Sequence, residues 1–139
     1  MNLIRMVKAH EGFEPLPYEC SAGHQTIGYG RNLEANPLTK DEATFLLEND
    51  IEKALQDCSQ GIDNWHLIDD VRQSVLIDMC INLGWGGLYK FRRTLNFIEV
   101  CDYESAAIEM LNSKWAKQVG RRSERLSEMM ETGEWPDDI

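Results

Sequence analysis

Glu11, Cys20 and Thr26 place a carboxylic acid, a thiol and a hydroxyl in one stretch, His10 to Gly30. Leu3, Ile4, Val7 and Glu11 share a helical face by the i, i+3, i+4 rule, so Glu11 is expected at the end of a buried stripe. Desolvation there would raise its pKa. A carboxyl that keeps its proton near neutral pH is what protonation of a glycosidic oxygen requires. Most glutamates at helix ends are simply solvated, so that explanation stands beside the first. Cys20 lies among loop-forming polar residues and can orient water, act as a base once ionised, or attack as a nucleophile. An ordinary thiol, with a pKa of ~8.5, is only a few per cent thiolate at pH 7. Thr26 alone reads as a strand threonine. Facing a cleft, its hydroxyl would position water.

Arg121, Arg122 and Arg125 cluster near the start of a late helix. A solvated basic face is the ordinary reading. In a chain of net charge −10, they also form a concentrated patch able to pair with a carboxylate or hold an anion. His10, His24 and His66 lack metal-ligand spacing, and no two of the four cysteines form a CxxC pair, so neither a zinc site nor another cofactor is expected. A cysteine peptidase or amidase would pair Cys20 with a histidine. Such enzymes usually seat the cysteine at a helix N-terminus, and Cys20 is in a loop. Cys58 and Cys80 fall on apolar helix positions and read as small buried hydrophobes.

The elements that must position these groups follow from size and pattern. With 139 residues, 42% apolar and 27% charged, the chain can bury a core. The acidic balance argues against a nucleic-acid partner. No apolar run spans a bilayer, and Arg5, Lys8 and His10 interrupt the start as no secretory signal would. A soluble chain made in the cytoplasm, without disulfides, is expected.

A helix is expected over Asn2–Glu11, then a small β-region around Tyr18, Thr26, Ile27 and Tyr29, with Ser21–His24 as a turn. Thr39 with Glu42 is a capping box. It opens an amphipathic helix through Ala43, Leu46, Leu47, Ile51, Ala54, Leu55 and Cys58. Asp69 is a plausible N-cap for a helix from Val71 to Leu83, apolar on nearly all sides and so expected as the hub of a core, ended by Gly84, Gly86 and Gly87. Further helices are expected over residues 91–100, 102–112 and 120–132, with Trp115 between the last two and Gly133 as a stop. The fold class is α+β, mostly helical. The expected organisation is a small β-containing lobe at about 12–36, a linking helix at about 39–58, and a helical lobe at about 62–135 joined by helix 2–11.

These residues also carry a resemblance. The chain resembles the phage-type lysozymes, the endolysin muramidases, over nearly its whole length. The matching pieces are His10-Glu11-Gly12, Tyr18-Glu19-Cys20, Thr26-Ile27-Gly28-Tyr29-Gly30, Leu38-Thr39-Lys40-Asp41-Glu42-Ala43, Asn82-Leu83-Gly84, Ser113-Lys114-Trp115, Arg121-Arg122 and Gly133-Glu134-Trp135. The resemblance implies a lysozyme-like fold, hydrolysis of the β-1,4 bond between N-acetylmuramic acid and N-acetylglucosamine in peptidoglycan, and host lysis. It makes Glu11 the proton donor, with Cys20 and Thr26 completing the catalytic set and Arg122 the ion-pair partner of the glutamate. It places Asn32, Ile81, Asn82 and Thr94 along the saccharide cleft. It further implies a monomer held in the host cytoplasm, reaching the periplasmic wall with the help of a membrane-hole-forming phage protein.

One departure matters: the second catalytic position, often aspartate in this family, is Cys20 here. The alternatives are therefore a glycan-binding protein of the same fold with impaired catalysis, and a lytic transglycosylase. Membrane disruption by the partly amphipathic helix from Arg121 is a further alternative, opposed by Glu124, Glu128 and Glu131.

Overall fold

The computed structural model describes residues 2–139. They fall into two compact units, divided between Leu46 and Leu47 within one continuous helix.

The first unit begins with helix α1, Asn2–Glu11. A three-stranded antiparallel sheet follows in the order β1 (Glu14–Glu19), β2 (Gln25–Gly28), β3 (Arg31–Asn32). Tyr18 pairs with Thr26, and Thr26 with Asn32, so Thr26 sits at the centre of the sheet. The β1–β2 register shifts between Glu14 and Tyr18. Pro15 and Pro17 lie in that interval and have no N–H to give a ladder. The expected turn is present: Cys20 N–H donates to His24 O at 2.9 Å and Gly23 N–H to Cys20 O at 2.9 Å.

Helix α2, Lys40–Gly61, starts at the expected capping box. Glu42 N–H donates to Thr39 Oγ1 at 3.2 Å, and Thr39 N–H donates back to Glu42 Oε1 at 2.9 Å. Arg31 holds the same carboxylate through both terminal nitrogens, Nη2 to Oε1 at 2.9 Å. It also donates to Asn36 O at 2.8 Å and Pro37 O at 2.7 Å, which ties β3 to the start of α2.

One expectation about burial is corrected here, and α2 shows a related feature. α1 buries none of its residues, so Leu3, Ile4 and Val7 form an exposed stripe and Glu11 is exposed at its end. In α2 only Ala54 and Cys58 are buried, while Leu46, Leu47, Ile51 and Leu55 are exposed. Periodicity shows that a helix has an apolar face; it does not show what covers that face.

The second unit is helical. A short 3-10 turn at Trp65–Leu67 precedes α3 (Asp70–Tyr89), α4 (Arg92–Glu99), α5 (Tyr103–Leu111), α6 (Lys114–Val119) and α7 (Arg121–Thr132). Asp69 caps α3 as expected, accepting from Arg72 N–H at 3.1 Å. α3 supplies Val75, Leu76, Met79 and Leu88 with no exposed surface, consistent with a hub. The helix does not end at the glycines. Gly84 breaks it with φ 73 and ψ 162, a conformation open to glycine, and helix resumes to Tyr89 so that Leu88 reaches the core. α6 was not expected. It is six residues long, capped by Ser113, whose hydroxyl accepts from Ala116 N–H at 3.1 Å, and it buries Trp115.

α5 packs against α4 and α7, and α7 against α3. Leu126, Met129 and Met130 of α7 are buried in the core, so that helix has no free apolar face for a lipid surface. Arg72 closes the unit. Its Nε donates to Met130 O at 2.6 Å and its Nη2 to Glu131 O at 2.8 Å, at the C-terminal end of α7, while its guanidinium lies 3.8 Å from the centre of the Tyr103 ring. Among the described residues no helix is long and apolar enough to cross a membrane.

Candidate active site

The first unit brings together Cys20 and Thr26. Cys20 follows β1 directly, and Thr26 lies on β2 opposite Tyr18, so the turn between them folds the thiol back towards the hydroxyl. Cys20 is half-buried and Thr26 is 3% exposed. The thiol is held below its ordinary pKa by hydrogen bonds from the His24 backbone first, then from the Ala22 backbone; burial opposes them, and the Thr26 hydroxyl adds a smaller lowering. Loop amides aimed at one sulfur stabilise its anion as they would a carboxylate. The Thr26 hydroxyl also meets His24 O at 3.0 Å. It has one proton and two acceptors, so it can serve the sulfur or the carbonyl at a given moment.

Glu11 ends α1 one residue before Gly12, which has φ 72 and turns the chain towards β1. Its carboxyl group lies against Gly30, between β2 and β3. A Cβ at Gly30 would collide with it, and φ 73 there favours glycine independently. Tyr29 beside it packs against Phe13 with the rings tilted by 42° and their centres 5.5 Å apart, and carries Lys8 Nζ at 5.0 Å from its ring centre. The acid thus meets the β2–β3 turn, and the thiol lies at the β1–β2 turn, with Thr26 on the strand that joins them.

Sequence reasoning missed the supporting groups. Glu34 Oε2 accepts from Gln25 N–H at 2.9 Å and lies 3.1 Å from His24 Nδ1. It therefore pins the turn that carries the His24 amide. A short polar side chain opening a turn three residues before a glycine, Cys20-Ser21-Ala22-Gly23, is the local signal for amide donation to Cys20. Nothing local points to Glu34.

Asn32 is on β3, and its Oδ1 accepts from Glu34 N–H at 3.0 Å and Ala35 N–H at 3.1 Å, which fixes the turn after the sheet. The other named positions are in the second unit. Ile81 is 38% exposed on α3. Asn82 Oδ1 accepts from the buried Trp115 indole N–H at 2.7 Å. Thr94 is 2% exposed and has almost no surface to offer a ligand. Arg122 donates through Nε to Asp78 Oδ1 at 2.9 Å, with Nη2 2.8 Å from the same oxygen. No group of three or more acidic, histidine or cysteine side chains that could hold a metal ion occurs among the described residues.

An acid and a stabilised thiol served by one small sheet, on a mostly helical α+β scaffold, suit acid-assisted cleavage of a glycosidic bond. Comparison with known proteins defines the same class, the lysozyme-type glycosidases. The family model described as Phage lysozyme matches residues 8–130, and the chain belongs to that family. Among its relatives, Probable T4-type lysozyme 2 of Dictyostelium discoideum is 28% identical, the match covering 95% of each chain. Probable T4-type lysozyme 1 of the same organism is 27% identical over 92% of each. The pre-baseplate central spike protein Gp5 of Enterobacteria phage T4 is 26% identical over 96% of this chain, which corresponds to 28% of its own length.

Proposed function

We propose that this protein is an endolysin. It hydrolyses the β-1,4 bond between N-acetylmuramic acid and N-acetylglucosamine in peptidoglycan, and so lyses the host cell. Membership of the phage lysozyme family supports the substrate class. The observation that supports the mechanism is the placement of Cys20 at the turn after β1, across the β1–β2 pair from buried Thr26, where the His24 and Ala22 backbone and the Thr26 hydroxyl lower the thiol pKa.

Glu11 protonates the leaving glycosidic oxygen. The Cys20 thiolate takes a proton from the attacking water, which Thr26 helps to orient. The working state holds a proton on Glu11 and none on Cys20, and every hydrogen bond that lowers the thiol pKa enlarges its population. Water attack opposite the leaving group gives inversion at the anomeric carbon. The protein works as a monomer. It is made in the host cytoplasm and reaches the periplasmic wall through a lesion made by a membrane-hole-forming partner.

The test is release of reducing ends from purified peptidoglycan by the wild type, Glu11→Gln and Cys20→Ser. Loss in Glu11→Gln identifies the acid. Binding without release in the wild type would make the protein a glycan-binding relic. NMR of the first-formed anomer checks inversion, and retention would make Cys20 a nucleophile. Products lighter by one water, as internal anhydro sugars, would mark a transglycosylase.

A further inference from the structure

We propose that Glu34 is a positioning residue for the reaction: one of its carboxylate oxygens sets the orientation of the His24–Gln25 peptide, whose carbonyl fixes Cys20 and Thr26 relative to each other. The inference rests on the reading of Cys20 and Thr26 as the groups that handle the attacking water.

The His24 carbonyl is the point where the two groups meet. It accepts from Cys20 N–H at 2.9 Å and from Thr26 Oγ1 at 3.0 Å. While Thr26 gives its only proton to that oxygen, its lone pairs are free to accept from water. A rotated His24 carbonyl would therefore displace both groups at once.

The other end of the same planar peptide belongs to Glu34. Leu33 N–H donates to Gln25 O at 2.8 Å and carries the β2–β3 ladder one pair beyond Thr26 and Asn32. The return bond does not go to the strand. Gln25 N–H donates instead to Glu34 Oε2 at 2.9 Å, and the same oxygen lies 3.1 Å from His24 Nδ1. Because the peptide group is planar, fixing its N–H fixes the direction of its carbonyl. Glu34 is held in turn by Asn32, whose Oδ1 accepts from Glu34 N–H at 3.0 Å and from Ala35 N–H at 3.1 Å. Asn32 is the strand partner of Thr26, so the circuit closes on the residue it serves.

The His24 and Glu34 side chains are 50% and 55% exposed, and an ion pair so exposed adds little to stability. Loss of the contact should thus appear in the rate and not in the Tm. Only one oxygen of Glu34 is used, so the amide oxygen of glutamine can replace it.

Wild type, Glu34→Ala and Glu34→Gln are compared over a concentration series of solubilised peptidoglycan. Glu34→Ala is expected to lower kcat about 10-fold, short of the roughly 100-fold that an ångström of misplacement brings, and to leave KM within about twofold. Glu34→Gln is expected to keep about half or more of the wild-type kcat, because its oxygen still accepts both bonds. Both variants should melt within about 2 °C of wild type. Amide exchange followed by NMR reads the positioning without any turnover: in Glu34→Ala the Cys20 amide should exchange about 10-fold faster, with the amides of α7 unchanged. Wild-type kcat in Glu34→Ala, a glutamine variant as slow as the alanine one, or an unchanged Cys20 amide would each overturn the proposal. If the wild type releases no reducing ends, the reading of function fails, and the Cys20 exchange rate alone decides whether Glu34 holds the turn.

Discussion

The Cα of Gly30 stands against the carboxyl group of Glu11: a Cβ there would lie 2.5 Å from Cδ and 3.0 Å from Cγ. Gly30→Ala must therefore displace the carboxyl group and also bear the left-handed backbone, which costs roughly 1–2 kcal/mol. The expected outcome is a modest fall in Tm and a loss of about 100-fold in reducing-end release, the scale set by misplacing a reacting group by an ångström. Wild-type release by a folded Gly30→Ala would show that the position of this carboxyl group is not what catalysis depends on.

Glu42 predicts a pH dependence. Arg31, with the Thr39 amide and hydroxyl, lowers its carboxyl from 4.5 to about 2. A depressed folded pKa contributes stability that is complete above the unfolded value and is lost as pH falls through the folded one. Wild type and Glu42→Gln should thus differ by a constant amount above about pH 5, and the gap should shrink between 4.5 and 2. Denaturation midpoints from pH 7 to 2 provide the check. A gap that ignores pH would mean the carboxylate is not the group held by Arg31.

The indole of Trp115 is 4% exposed, and its N–H has Asn82 Oδ1 as its partner. Asn82→Ala strands that donor and should cost roughly 1–3 kcal/mol. In a Trp115→Phe background the same change should cost much less. A double-mutant cycle in denaturant measures the difference, and it distinguishes support of the core from any contact Asn82 makes with glycan.

Arg72 is not replaceable by lysine. Its fork reaches Met130 O, Glu131 O and Asp69 Oδ1 at once while its plane covers Tyr103. An ammonium cannot do all of this. Arg72→Lys is expected to lose roughly 2–4 kcal/mol of unfolding free energy, from two charge-assisted hydrogen bonds. Retention of full stability would show that charge alone suffices there.

Signals that are local in sequence were legible, and tertiary ones were not. The Thr39–Glu42 box, the Asp69 cap and the Gly133 stop act within one helical turn, and each stands where the residues indicated. α6 is too short to show periodicity, although Ser113 and Gly120 bracket it. The run of glycines after Leu83 read as a terminus because one broken residue, Gly84, looks the same in sequence as an end. In the candidate site, residue types were visible but their support was not. Glu34, ten positions beyond His24, meets it only because two strands fold back. Thr94 shows the converse: the resemblance placed it along the saccharide cleft, and the core has enclosed it.

The reach of Arg72 also orders events during synthesis. Its two carbonyl partners lie 58 and 59 positions further along the chain. Asp69 and the Tyr103 ring can engage it earlier, but Met130 and Glu131 leave the ribosome a second or more after Tyr103 at about 5–20 residues per second. Over that interval Val75, Leu76 and Met79 wait for the last helix. The nascent unit is thus an exposed apolar surface with a timed closure, and a pause in translation after Tyr103 would lengthen its exposure to chaperones and proteases.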